Sequence, residues 1–203
     1  MVLASASPRR RELLALAGID FTIEVSAVDE ELDPRTPPEE AALELAERKA
    51  RAVAARILAR ATNEPRSAPD VLVLAADTIV AVGEGAAARL LGKAADEREA
   101  SAMLGALSGT RHRVITGVCA LRTRDLALCR GFERTFVTMR VLSPRELADY
   151  VASGEWKDKA GAYAIQESAD RFVTQLEEGG FDNVVGLPVQ LSLALLAELD
   201  ARA

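Results

Sequence analysis

Three observations in the amino-acid sequence predict an α/β fold. Strand-like and helix-like segments alternate along the chain. Val71 to Val82 is an almost unbroken, valine-rich apolar run, suited to a strand buried on both faces. Helix-opening signals recur at Ser7-Pro8, Thr36-Pro37-Pro38-Glu39 and Ser143-Pro144-Arg145-Glu146. At 203 residues the chain fits one domain, or two closely packed lobes sharing a core.

Taken in order, Val2-Leu3-Ala4 is a short apolar strand. Ser7 then caps a helix with proline at its first position, and Gly18 closes it. Phe21 to Val28 alternates as a strand does. A long helix runs from the Thr36 capping box to about Arg60, and Thr62–Pro69 is a polar loop. Gly83-Glu84-Gly85 marks a turn after the buried strand. A helix over Glu97 to Leu107 stops near Gly109. Arg113–Leu121 and Glu133–Val141 are strands flanking the region around Asp125. The Ser143 capping box opens a helix to about Val151. Gly154 to Gln166 is loop-like, with Ala162–Ile165 extended; Arg171–Leu176 is a strand, and Pro188 opens a C-terminal helix. This pattern does not fix the order of the strands.

Composition narrows the chemistry. With 49% apolar and 28% charged residues the chain is globular, and no apolar run reaches the roughly 20 residues that span a bilayer. Arg9, Arg10 and Arg11 follow too short an apolar stretch for a signal peptide, so the expectation is a cytoplasmic protein. A net charge of −6 argues against non-specific nucleic-acid binding but permits a local cationic pocket for a small anion. Cys119 and Cys129 lack metal-ligand spacing and read as buried thiols. His112 is the single histidine, which leaves catalysis to Asp, Glu, Lys and Arg and excludes a histidine-rich zinc site.

Charge sits awkwardly in three places. Ser5-Ala6-Ser7-Pro8-Arg9-Arg10-Arg11 puts three arginines at a helix N-terminus, which already carries positive charge and unpaired N–H groups. They are either solvated or face a bound anion. Lys49 falls in the apolar stripe Leu45–Val53–Ile57, beside Ala42 and Ala46, while Glu44, Glu47, Arg48 and Arg51 take the wet side. It either snorkels to the rim or points towards an anion. Asp77 interrupts the buried strand, and a carboxylate there must be paired, hydrogen-bonded or metal-bound. Lys93 reads alone as a turn lysine, Asp158-Lys159 as a surface ion pair, and Glu30 as part of an acidic run.

Together these positions resemble the Maf family of septum-formation-associated nucleotide pyrophosphatases. The resemblance rests on Leu3-Ala4-Ser5-Ala6-Ser7-Pro8-Arg9-Arg10, Ala76-Asp77-Thr78-Ile79-Val80 and Leu91-Gly92-Lys93. Further matches are Leu107-Ser108-Gly109 with His112, Thr116-Gly117, Asp158-Lys159-Ala160-Gly161-Ala162-Tyr163-Ala164-Ile165-Gln166 and Val184-Val185-Gly186-Leu187-Pro188. It implies an elongated mixed sheet flanked by helices, with two lobes around a central cleft, similar to inosine-triphosphate pyrophosphatases. It also implies a divalent metal (Mg²⁺ or Mn²⁺), a homodimer, and hydrolysis between the α and β phosphates of a nucleoside triphosphate. The stretch from Lys159 to Gln166 looks like the branch acting on dTTP and UTP; the 7-methyl-GTP branch carries a cysteine- and serine-containing sequence there. This chain departs from the family at Glu167, where glycine is usual, at Ala94, where proline is, and at Phe181, where tyrosine is common.

On that resemblance Asp77 is the expected general base. Arg9, Arg10, Lys49 and Lys93 neutralise the triphosphate, helped by Ser5 and the helix N-terminus. Glu30 and Asp77 are the expected metal ligands. Gln166 reads the base, with Thr78 and Arg9 as further specificity residues. The competing readings are a nucleotide-binding inhibitor of septum formation with little catalysis, and a house-cleaning enzyme for 5-substituted pyrimidine nucleotides.

Overall fold

The computed structural model describes residues 1–33, 35–61, 69–83 and 88–202. The predicted loop at 62–68 and the turn residues Glu84 and Gly85 lie outside them. The strands are β1 (Val2–Leu3), β2 (Thr22–Ile23), β3 (Leu72–Val82), β4 (Arg89–Leu91), β5 (Arg111–Arg122), β6 (Leu128–Met139) and β7 (Val173–Glu177). The helices are α1 (Pro8–Leu16), α2 (Pro38–Ala61), α3 (Glu97–Leu107), α4 (Pro144–Ser153), α5 (Phe181–Val185) and α6 (Val189–Ala201). Hydrogen-bonded neighbours follow the order β2-β1-β3-β5-β6-β7, with β4 also on β3. β1 pairs in parallel with β2 and β3, whereas β4 on β3 and β7 on β6 are antiparallel, so the sheet is mixed.

Two compact units divide the chain. One comprises Met1–Asp77, Thr116–Glu133 and Gly186–Ala203; the other comprises Thr78–Ile115 and Arg134–Val185. In the first unit Leu3, Leu74, Val118, Leu187 and Leu199 pack together, and Ala46, Val53, Val73 and Cys119 form a second cluster beneath α2. The face of α2 predicted to be apolar is the buried one, Lys49 included. Its approach to β5 is close: a Cβ on Gly117 would lie 2.3 Å from the Ala42 carbonyl oxygen. No side chain larger than hydrogen fits there, so Gly117 sets how near the helix lies to the strand. The second unit has its own core of Met103, Leu104, Leu107, Tyr150, Trp156 and Phe172. Both cysteines are buried and free.

Caps behave as the sequence implies at two helices: Ser7 accepts the Arg10 N–H, and Ser143 and Glu146 complete a reciprocal capping box. At α3 Asp96, which the sequence reading did not single out, accepts the Glu99 N–H. Gly18 takes φ 73° after α1, the left-handed value that glycine adopts without strain.

Several elements differ from expectation. The strand predicted over Phe21–Val28 is only two residues long, because its parallel partner β1 ends at Leu3. The Val25 and Ser26 carbonyls accept instead from Arg56 of α2. α2 starts at Pro38, so Thr36 stands two residues ahead of it and not at the cap; the Ala41 N–H bonds the Pro37 carbonyl. β5 outruns both of its predicted ends, whereas β6 starts earlier than predicted, at Leu128, and stops at Met139, short of Val141. Arg122 continues a buried strand because Asp125 and the Leu199 carbonyl accept its guanidinium N–H groups. Gly131 hid the start of β6, and its missing side chain makes room for Leu191 of α6. Ala162–Ile165 is not a strand: Ala162, at φ 60°, and Ile165 lie in turns, with Tyr163 and Ala164 irregular between them. Residues Ser168–Phe172 form a 3₁₀ turn before β7, so Arg171 lies outside the strand.

Candidate active site

The last residue of the first unit's share of β3 is Asp77, in a strand that is apolar on both sides of it. Its side chain cannot reach water freely, being only 7% exposed. Lys49, also 7% exposed, reaches it from α2, with Nζ 2.5 Å from Asp77 Oδ1. The same Nζ lies 2.6 Å from Glu30 Oε1. Lys49 thus neither snorkels nor stands alone: its stem lies in the helix's apolar stripe and its ammonium bridges two carboxylates. Breaking the buried Lys49–Asp77 pair by removing one partner leaves a charge uncompensated and costs about 3 to 5 kcal/mol, whereas the half-exposed Glu30 contact is screened by solvent.

Glu30 comes from the irregular segment between β2 and α2. Arg56 holds the Val25 and Ser26 carbonyls there, and Arg48 holds the Glu31 carbonyl at 2.8 Å. Both arginines belong to α2, so the helix that carries Lys49 also fixes the loop that carries Glu30.

The arginine-rich turn sits in the same unit. Ser5 is buried, and its Oγ accepts the Ser7 N–H at 3.2 Å and an Arg10 guanidinium N–H at 3.4 Å. Arg10 donates from Nε to the Gly186 carbonyl and from Nη1 to the Ala76 carbonyl, each at 2.7 Å. Burial lowers the Arg10 pKa from its usual value; Asp77 opposes that shift, Arg9 adds to it and Glu30 opposes it. The guanidinium therefore binds the backbone one residue before Asp77. Arg9 is half-buried and Arg11 exposed.

The second unit carries Thr78, Lys93 and Gln166. Thr78 is half-buried, while Lys93 and Gln166 are exposed. Lys93 pairs through its backbone with Ala160 in an isolated antiparallel bridge, and the Gly161 N–H reaches the Gly92 carbonyl at 3.0 Å. Gly161 takes φ 68°, and a Cβ there would press on Val80 at 3.0 Å. Tyr163, buried, bonds His112 Nε2 at 2.9 Å, and the Ala164 N–H reaches the Tyr150 hydroxyl. The 160–166 segment is thereby pinned at four points.

Lys159 overturns one expectation. It is 8% exposed, and its ammonium pairs with Glu167 at 3.3 Å, where a surface pair with Asp158 was expected. Glu167 stood out only as a departure from the family pattern. A lysine in a turn shows no periodicity from which burial could be read, so the sequence held no physical signal for this pair.

Among the described residues, no three Asp, Glu, His or Cys side chains gather as a metal cluster. Glu30 and Asp77 nevertheless present two hard oxygen donors converging on one cation. That suits Mg²⁺ or Mn²⁺, which bind through one or two carboxylates and take their remaining ligands from substrate phosphates and water.

The family model described as "Maf-like protein" matches residues 1–199. A dTTP/UTP pyrophosphatase of Caldicellulosiruptor saccharolyticus is 44% identical over 199 residues, 98% of this chain and 94% of the relative. One from Gloeobacter violaceus is 40% identical over 202 residues, 100% of this chain and 97% of the relative. One from Moorella thermoacetica is 46% identical over 197 residues, 97% of this chain and 93% of the relative.

Proposed function

Since the chain belongs to the family of Maf-like proteins, we propose that it hydrolyses dTTP and UTP to the nucleoside monophosphate and pyrophosphate. The observation that carries this reading is the buried Lys49–Asp77 pair with Glu30 at its exposed edge, a carboxylate in the sheet held by a cation beside the arginine-rich helix N-terminus. The printed names of relatives that match nearly the whole chain support it.

Asp77 orients a water and takes its proton while the oxygen attacks the α-phosphorus in line. The bond from that phosphorus to the α–β bridging oxygen breaks, and pyrophosphate leaves with the electron pair. Arg9, Lys49 and Lys93 neutralise phosphate oxygens, and the Ser5–Pro8 turn offers a helix N-terminus to the same anion. Arg10 contributes charge and holds the chain at Ala76. Glu30 and Asp77 would hold a divalent cation, which would supply charge neutralisation on the triphosphate when bound. The Gln166 amide accepts from the N3–H of uracil or thymine and donates to a ring carbonyl, with Thr78 and Arg9 adding to the choice of base. The same reading makes the protein a cytoplasmic homodimer; among the described residues no helix is long and apolar enough to cross a membrane.

The test is a panel of nucleoside triphosphates with Mg²⁺ or Mn²⁺, including 5-methyl-UTP, in which both pyrophosphate and orthophosphate are detected. Pyrophosphate is expected from dTTP and UTP. Asp77→Asn should lower kcat by about 10²-fold or more while remaining folded by circular dichroism. Nucleotide binding without pyrophosphate release would turn the reading to a nucleotide-binding regulator.

A further inference from the structure

We propose that Lys49 is a placeholder cation. In the nucleotide-free protein its ammonium occupies the place between Glu30 and Asp77 that the divalent metal takes when substrate arrives. Lysine and metal therefore compete for the same two carboxylates. This rests on the pyrophosphatase reading, in which a metal and a triphosphate meet at this point.

The argument begins with the two contacts of one nitrogen, 2.5 Å to Asp77 Oδ1 and 2.6 Å to Glu30 Oε1. The two oxygens lie within the span of two hydrogen bonds, a separation at which anions repel unless a cation lies between them. An ammonium offers one positive charge against their two negative charges, whereas Mg²⁺ or Mn²⁺ offers two and prefers such oxygen donors. The metal matches the charge better, but it must first displace the ammonium.

What makes displacement feasible is the division of the side chain. The stem of Lys49 is packed in the stripe of α2 between Leu45 and Val53, both buried. The ammonium can swing on its terminal torsions while the stem stays in place. Glu30 keeps a side chain 44% exposed on an irregular segment and can adjust, whereas Asp77, at 10%, is fixed on β3. With no triphosphate present, an evicted ammonium finds no anion to replace the two it lost, and the metal binds weakly. With triphosphate present, the phosphate oxygens receive it. Metal and nucleotide then bind cooperatively, each raising the affinity of the other by the same factor. Until metal and nucleotide arrive, the ammonium offsets half of the charge of the two carboxylates.

The experiment measures Mn²⁺ binding to the nucleotide-free protein by electron paramagnetic resonance of the free ion. Lys49→Met keeps the stem and removes the charge. It should bind Mn²⁺ at least about tenfold tighter than the parent, because nothing has to be displaced. Adding Glu30→Gln to Lys49→Met should abolish that gain. Equal or weaker Mn²⁺ binding by Lys49→Met overturns the proposal.

If Lys49→Met does not fold, the parent protein decides, labelled with ¹⁵N at the lysine ammonium groups. The resonance of the Lys49 ammonium, told apart from that of buried Lys159 by its persistence in Lys159→Met, should move when Mg²⁺ and the α,β-methylene analogue of dTTP are added together. A resonance that stays in place sinks the idea. Pyrophosphate release from dTTP combined with unchanged Mn²⁺ affinity in Lys49→Met rejects the placeholder and leaves the pyrophosphatase reading intact. Tightened Mn²⁺ binding without pyrophosphate release does the reverse.

Discussion

Arg10 commits two donors of its guanidinium fork to backbone, one to Gly186 and one to Ala76, the residue before the proposed base. Charge-assisted bonds of this kind contribute about 1.5 to 3 kcal/mol each, and a lysine cannot span both carbonyls. Arg10→Lys should therefore lower kcat by roughly tenfold to a hundredfold through misplacement of Asp77, with KM for dTTP changed less than about threefold. Steady-state pyrophosphate release checks this; a large rise in KM with kcat intact would show that Arg10 acts on the substrate directly. The sequence exposed Asp77 and Lys49 because each breaks a regular apolar pattern, one in a strand and one on a helix face. Arg10 was visible as a misplaced charge, but its carbonyl partners are 66 and 176 residues away and no local pattern announces them. Lys159 and Glu167 stayed hidden for the same reason, in a stretch with no periodicity at all.

Among the elements, α2 does the most for the site: it carries Lys49, holds the Glu30 loop through Arg48 and Arg56, and rests on Gly117 of β5. An added methyl at Gly117 meets the Ala42 carbonyl oxygen at 2.3 Å and the Leu43 nitrogen at 2.6 Å, both of them backbone. Neither atom can rotate away, so the helix itself must shift. Gly117→Ala should cost about 1 to 3 kcal/mol, read as a lowered urea midpoint, and should reduce turnover by displacing Lys49 from Asp77. A variant as stable and as active as the parent would show that the contact relaxes without moving α2. The long helices were legible in the sequence where an apolar stripe or a capping box marked them, as for the Lys49 face of α2 and the Ser143 box of α4. The short elements were not. β4 has three residues and α5 five, and both exist through tertiary contacts: β4 lies along β3, and Asn183 of α5 bonds the Val114 carbonyl and Thr135. Five residues give less than two helical turns, too few for a 3.6-residue period to register.

Across the molecule, acid acts through two kinds of group in successive pH windows. His112 is buried with Nε2 on the Tyr163 hydroxyl, and its Nδ1 has no hydrogen-bond partner among the described residues. Burial lowers its pKa from 6.5 to about 4, so the folded protein keeps it neutral where the unfolded chain would protonate it. The unfolded state binds the extra proton between those two values, and stability must fall as pH drops through that window. Glu146 and Asp125, each held at about 2 chiefly by hydrogen bonds from Arg140 and Arg122 respectively, add their loss at lower pH, below the ordinary carboxylate range. Between pH 7 and pH 4.5 the histidine alone should therefore remove about 2 to 3 kcal/mol from the free energy of unfolding. Urea unfolding of the parent and of His112→Gln at the two pH values isolates this contribution. Glutamine cannot titrate and can still bond the Tyr163 hydroxyl, so the variant should lose markedly less stability over that interval than the parent. If both proteins weaken in parallel, His112 is not the group that senses mild acid, and the loss belongs to carboxylates elsewhere in the chain.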